Sequence, residues 1–217
     1  MSSNREVRTK PFRLHASVMC PSHGELAASI AFELGELDPD RFERDLTALA
    51  AALPAETDPE AQLRALGEIV SSRALVARTY GGAEELLAGE VIRRGHGHPL
   101  ALAVVLAELG RRAGMNVGIV ADERDHYVAH PRLTAPLLLD PRTGELVDAT
   151  QVDGTLTWRC GHQVAAALLD GLQPRYERVG DIERALQVAR LRCLLPFDDD
   201  SVVLARRRLR MLMAKIN

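Results

Sequence analysis

Between Gly97 and Gly114 the chain reads GHPLALAVVLAELGRRAG, its longest nearly uninterrupted apolar run. The run predicts a helix with both ends marked. Pro99 suits the first turn, where a missing N–H is no loss, and Gly114 suits a left-handed stop. Arg111 and Arg112 fall in the last turn, where positive charge meets the negative end of the helix dipole. Leu102, Leu106, Leu109 and Ala113 form one stripe, yet Leu100, Val104 and Val105 cover most of the remaining surface. A helix apolar nearly all round is expected to be buried on several sides, as the centre of a domain.

Upstream, residues 1–22 are polar and interrupted by Pro11 and Pro21, which predicts a poorly ordered or loosely docked arm. Leu26, Ile30, Ala31 and Leu34 set a helical period from Glu25 to Leu37. Asp38-Pro39-Asp40 stops that helix and caps a second from Arg41 to about Leu53. Asp58-Pro59 repeats the device and opens a third to Ser71; after Tyr80-Gly81-Gly82 a fourth runs from Ala83 to about Arg93. Beyond Gly114 the period shortens. Val117–Ala121, His126–Ala129, Pro136–Leu139 and Glu145–Asp148 read as strands of a small antiparallel sheet, with a turn at Asp140–Gly144. Helices resume at about Gln163–Leu172, Ile182–Leu194 and Ser201–Lys215. Helices, then a sheet, then helices again predict an α+β fold.

Composition narrows the function classes. Hydrophobic residues make up 47% and aromatics only 4%, so the core is built of Leu, Ala and Val, which favours helix. A net charge of −3 gives no bulk attraction to nucleic acid or anionic membrane, and neither is expected as a partner. Arg206, Arg207, Arg208 and Arg210 are read as a solvated face opposite Leu209, Leu212 and Ile216, and Asp198-Asp199-Asp200 as capping charge. Cys20, Cys160 and Cys193 are odd in number and at no metal spacing, so no disulfide framework is expected. The first residues lack the apolar core of a signal peptide, and Leu100–Leu109 is too short to span a bilayer. A soluble cytoplasmic protein is the expectation.

Candidate chemistry gathers around the central helix. His96 and His98 stand at its start, His126 and His130 on the strands beyond, and Asp140 ends the apolar strand Leu137–Leu139. An aspartate that orients an imidazole, facing a helix N-terminus, is the frame of a base-assisted nucleophile. The frame lacks a cysteine at the helix start, where the dipole would activate it. Cys160, beside Arg159, is a candidate substitute if the chain folds back to the cleft; a buried structural thiol is the other reading. Cys20 near His23 has the same two readings, Cys193 reads as core, and Trp158 as a packing anchor. His96, His98 and His126 have donor chemistry that suits zinc, but His-Gly-His reads first as a polar loop, and neither a metal nor a cofactor is assigned.

Arg93-Arg94-Gly95, Gly97-His98-Pro99-Leu100-Ala101-Leu102 and Arg111-Arg112-Ala113-Gly114-Met115 resemble the core motif of the bacterial Sir-B-type transglutaminase-like proteins. His126-Tyr127-Val128 resembles the family's histidine–aromatic strand, and Leu139-Asp140-Pro141 with Gly144 its aspartate–proline turn. The resemblance implies a papain-like core over residues 23–157, with a central helix on an antiparallel sheet. It also implies a tetratricopeptide-like helical tail over 158–217, although a plain helical hairpin accounts for the same pattern. Carried over, His126 and Asp140 fall on the catalytic histidine and aspartate, and His98, Pro99 and Tyr127 are expected to line the cleft. The family's cysteine falls on Pro99, a position where the Sir-B-type branch is similar in carrying proline. The family's Pro-Gly before the histidine is Arg124-Asp125 here. The implied function is a pseudoenzyme that holds a peptide or protein partner in the old cleft. The alternative is an amide hydrolase or acyl transferase using His126 and Asp140, with water, the acceptor substrate or Cys160 as nucleophile. Oligomeric state is not legible.

Overall fold

The computed structural model describes residues 11–72, 74–133, 135–197 and 200–214. Its first helices are α1 (Phe12–Ala16), α2 (His23–Glu33), α3 (Pro39–Ala51) and α4 (Pro59–Ser71). Asp38 and Asp58 open α3 and α4, accepting from Arg41 N at 3.1 Å and Ala61 N at 2.8 Å, with proline in the first turn. A two-residue strand β1 (Val76–Ala77) leads to a 3-10 turn at Ala83–Leu86 and then to α5 (Ala88–Arg94). One helix was expected from Ala83 to Arg93. It breaks at Leu87, whose backbone is extended at φ −95° and ψ 112°, with Leu86 and Leu87 both buried. The strand β2 (His96–Gly97), parallel to β1, then delivers the chain to α6 (Pro99–Arg112).

The central helix is buried as its pattern predicts: every residue from Leu100 to Gly110 is buried, and Gly114 takes φ 80° just past its end. Even Glu108 lies inside. Burial alone would raise its pKa, but hydrogen bonds from Arg111 and Arg112 overcome that and hold it below the usual carboxylate range. Arg112 reaches on to Glu43 of α3 at 2.8 Å. The last-turn arginines therefore neutralise a buried carboxylate as well as the helix end.

The sheet comprises β3 (Gly118–Ala121), β4 (His126–Ala129), β5 (Leu137–Leu139), β6 (Leu146–Asp148) and β7 (Thr157–Arg159), in the order β6-β5-β4-β3-β7 with all neighbours antiparallel. Its register pairs Ile119 with Val128 and Val128 with Leu139, and all three face the main core. Val120, Tyr127, Ala129 and Leu138 face the other way, into a smaller cluster closed by Val147, Val152 and Leu156. The middle strands are thus covered on both faces. The turn Asp140–Gly144 seats on α4 backbone to backbone: a Cβ on Gly67 would lie 2.2 Å from Gly144 O, and Gly144 itself needs φ 77°.

Three helices follow among the described residues, α7 (Gly161–Arg178), α8 (Ile182–Arg192) and α9 (Asp200–Ala214). The expected end of α7 near Leu172 is passed, although Pro174 lies inside it. Pro174 has no N–H to offer the Asp170 carbonyl one turn back, and in the same turn Arg175 Nη1 donates to Gly171 O at 2.8 Å. α7 packs on α2 and α8, and α8 on α9. A single apolar cluster consequently runs from Phe12 to Leu212. The polar reading of the arm did not anticipate this: Phe12 is fully buried, and its N–H donates to Glu33 at 3.2 Å. Residues 1–10, 198–199 and 215–217, which include part of the arm, two of the three capping aspartates and Ile216, lie outside the described residues. Among the described residues no helix is long and apolar enough to cross a membrane.

Candidate functional site

β2 brings His96, Gly97 and His98 to the leading end of α6, where His98 N donates to Glu85 O at 2.7 Å. His98 then does for α6 what aspartates do for α3 and α4. Its Nδ1 accepts from Leu100 N at 3.3 Å, a bond that requires the imidazole to be unprotonated on that nitrogen. Burial lowers the His98 pKa, and the Arg175 charge lowers it further against the opposing pull of Glu85 and Asp125. Pro99 follows with no side-chain nucleophile and no N–H. The N–H of residue 99 is absent and that of Leu100 is occupied. The helix start therefore supplies neither an attacking atom nor those two donors for an oxyanion.

His126 opens β4 opposite Ala121, on the face that Val128 and Ile119 turn to the core. Burial lowers its pKa first, then the charges of Arg159 and His98; Asp125 and Asp122 act the other way. It stands as a neutral imidazole at neutral pH, with Arg159 brought in by the edge strand β7. That strand was missed in the sequence, being largely exposed at the sheet edge with Trp158 as its one apolar residue, and Arg159 with it. The four-residue turn before His126 is tied by Asp122, whose Oδ1 accepts from Arg124 N and Asp125 N at 2.7 and 2.6 Å.

Asp140 does not orient His126. The expected hydrogen bond between them is replaced by a different network. Asp140 accepts from Arg142 N at 2.8 Å and from Arg142 Nε at 3.0 and 3.1 Å. Arg142 in turn pairs with Asp125 at 3.0 Å and lies 5.9 Å from the centre of the Tyr127 ring. The cause is register. Val128 pairs with Leu139, so Asp140 comes opposite Tyr127, one residue away from His126. Side chains alternate along strands, and one residue's displacement sends the carboxylate to the opposite face. Asp125 supplies the second anchor that holds Arg142 there.

The expected cleft residues are thereby divided. His98, Pro99 and His126 stay at the helix start. Tyr127 and Asp140 line a cleft of about 540 Å³ on the far face of the sheet, together with Asp122, Asp125, Arg142 and Asp148. There burial raises the Tyr127 hydroxyl above its ordinary pKa.

Of the remaining candidates, His96 places Nδ1 3.1 Å from Glu85 Oε2, so the histidine–carboxylate pair beside α6 comes from residues other than His126 and Asp140. Nothing in the acidic run Ala83-Glu84-Glu85 marks Glu85 as different from a solvated first-turn charge. His130 is buried beyond the far end of β4, its Nδ1 accepting from Arg132 N at 3.1 Å. Among the described residues no group of three or more His, Cys, Asp or Glu is arranged to hold a metal ion. Cys160 is exposed at the start of α7. It lies three residues past Thr157, which shares a row with Ala121 and His126. Two strand spacings across and three residues along put its Cα about 14 Å from that of His126, beyond hydrogen-bond reach. Trp158 lies against Gly118, half-exposed on the far face.

A buried helix directed by its leading end at a histidine on an antiparallel sheet is the layout of papain-like thiol enzymes, here without the thiol. The chain belongs to the transglutaminase-like superfamily, whose core profile matches residues 40–176. No curated protein matches it. Among solved structures it is similar in fold to menin, in a crystal structure that reveals menin's binding site for the Mixed Lineage Leukemia protein. The TM-score is 0.54 at 10% identity, over 94% of this chain and 60% of the menin chain.

Proposed function

We propose that this transglutaminase-like protein is a non-catalytic, cytoplasmic, bacterial member of the Sir-B-type branch, one that holds a peptide or protein segment at the leading end of α6. The helices α7–α9 serve as a tetratricopeptide-like tail that extends the binding surface. The observation that carries this reading is the fate of the catalytic set: proline occupies the nucleophile position, and the aspartate is bound to Arg142 on the other face of the sheet. Acid–base chemistry loses its nucleophile and its orienting carboxylate there, while two polar groups that can grip a peptide, His98 and Arg159, remain beside His126. Menin adds only the precedent of a related fold that captures a protein.

A random-peptide display selection against the full chain provides the probe. For an enriched peptide, Arg159→Ala and His98→Ala should each weaken binding about tenfold, the scale of one hydrogen bond. His126→Ala should change it by no more than a few-fold, and Arg142→Ala, on the far face, should leave it unchanged. In parallel, a fluorogenic amide library should show no turnover above buffer. Turnover that His126→Ala abolishes would replace this reading with the amidase or acyl-transferase alternative, His126 acting as base on water or an acceptor substrate.

A further inference from the structure

Two exposed thiols sit on segments that the fold presses together, and neither belongs to the site above. Cys20 and Cys160 are both free and exposed. Their segments are fastened at three points. His162 Nε2 lies 3.0 Å from Ala16 O, and His23 Nε2 lies 2.8 Å from Arg159 O. Between these, Gly161 packs so tightly on Pro21 that a Cβ there would stand 2.4 Å from Pro21 O. The cysteines adjoin this middle contact on both sides: Cys20 precedes Pro21 and Cys160 precedes Gly161. Each cysteine Cα is therefore about 3.8 Å from the Cα of a residue in that contact. Pro21, Gly161, His162 and Ala16 are buried, whereas Ser17–Cys20 are exposed between two anchors. The pins fix where the loop begins and ends, and its exposed thiol adjoins the contact that Cys160 adjoins from the other segment.

We infer that Cys20 and Cys160 are a paired modification site, which takes a low-molecular-weight disulfide as co-reactant and closes to an intramolecular disulfide. One protein thiolate attacks a sulfur of RSSR; that S–S bond breaks, RS⁻ departs, and a mixed disulfide forms. The second protein thiolate attacks the protein-side sulfur, and the second RS⁻ departs. Two protein thiols lose two electrons and two protons, and RSSR becomes two RSH. The bond ties the N-terminal arm to the junction of β7 and α7. That junction carries Arg159, whose charge acts on His126. A reversible bond of this kind is the form in which disulfides occur in reducing compartments. Cys193 is the internal reference, because it is partly buried and burial raises its pKa.

The test is incubation of the full chain with oxidised glutathione, alkylation of the remaining thiols, and non-reducing peptide mapping of the monomer. The expected product joins the Cys20 and Cys160 peptides, is reversed by dithiothreitol, and leaves Cys193 alkylated. It should outnumber chains carrying glutathione on both cysteines by about tenfold or more, since the second attack is intramolecular. Cys20→Ser and Cys160→Ser should each stop at the mixed disulfide. Glutathione on both sulfurs without a cross-link, or cross-links only between chains, overturns the proposal.

Discussion

The separation of Asp140 from His126 can be measured as two coupling energies. In the first cycle Asp140→Asn is combined with Arg142→Gln; in the second it is combined with His126→Ala. Asparagine keeps the acceptor for Arg142 N but removes the charge that takes Arg142 Nε at 3.0 and 3.1 Å. Unit charges about 4 Å apart attract by roughly 4 kcal/mol near a protein surface. The Arg142 side chain is 38% exposed and keeps its contact with Asp125, so water and the second partner screen much of that. A coupling of about 1 kcal/mol is expected for the first pair, at the upper end of what exposed ion pairs give. For His126 and Asp140, on opposite faces and with no shared bond, coupling should stay below about 0.5 kcal/mol. The assay is equilibrium urea unfolding at a pH above the ordinary histidine value, where burial keeps His126 neutral. A coupling of 1 kcal/mol or more between His126 and Asp140, with none between Asp140 and Arg142, would refute the register argument and restore the dyad.

The turn that holds Asp140 should be sensitive to a single methyl group. Gly67→Ala places a Cβ 2.2 Å from Gly144 O, where neither backbone can yield cheaply. A loss of about 2 kcal/mol is expected, or about 4–8 °C in Tm by calorimetry; an unchanged Tm would mean the turn is not seated on α4. Phe12→Ala empties a fully buried site and should destabilise by about 3 kcal/mol in urea, whereas a loss under 0.5 kcal/mol would return the arm to loose docking. Burial lowers the pKa of His23, His98, His126 and His130. The unfolded chain then binds more protons than the folded one, so their contribution is fully present above about pH 6.5 and is lost as pH falls through the lowered values. The urea midpoint should decline on acidification below that point, and less steeply in His98→Asn, which keeps a capping acceptor that does not titrate; a midpoint that rises as pH falls would contradict this.

What the residues determined unaided was local. The burial of α6, its proline start and glycine stop, the span of α4 from Pro59 to Ser71 and that of β4 from His126 to Ala129 all follow from caps, turn residues and periodicity within about a dozen positions. The absence of a nucleophile at Pro99 was equally plain. Tertiary structure decided which faces meet. Strands of three or four residues, apolar on both sides, carry no alternation that tells one face from the other. Spacing could bring Asp140 near His126 in sequence but could not say which side of the sheet it would take. Glu85 reaching His96, Arg159 reaching toward His126 and Phe12 docking on Glu33 likewise depend on residues 11 or more positions apart. Those pairings are chosen by the packing of the whole core, and no short window of the chain contains both partners.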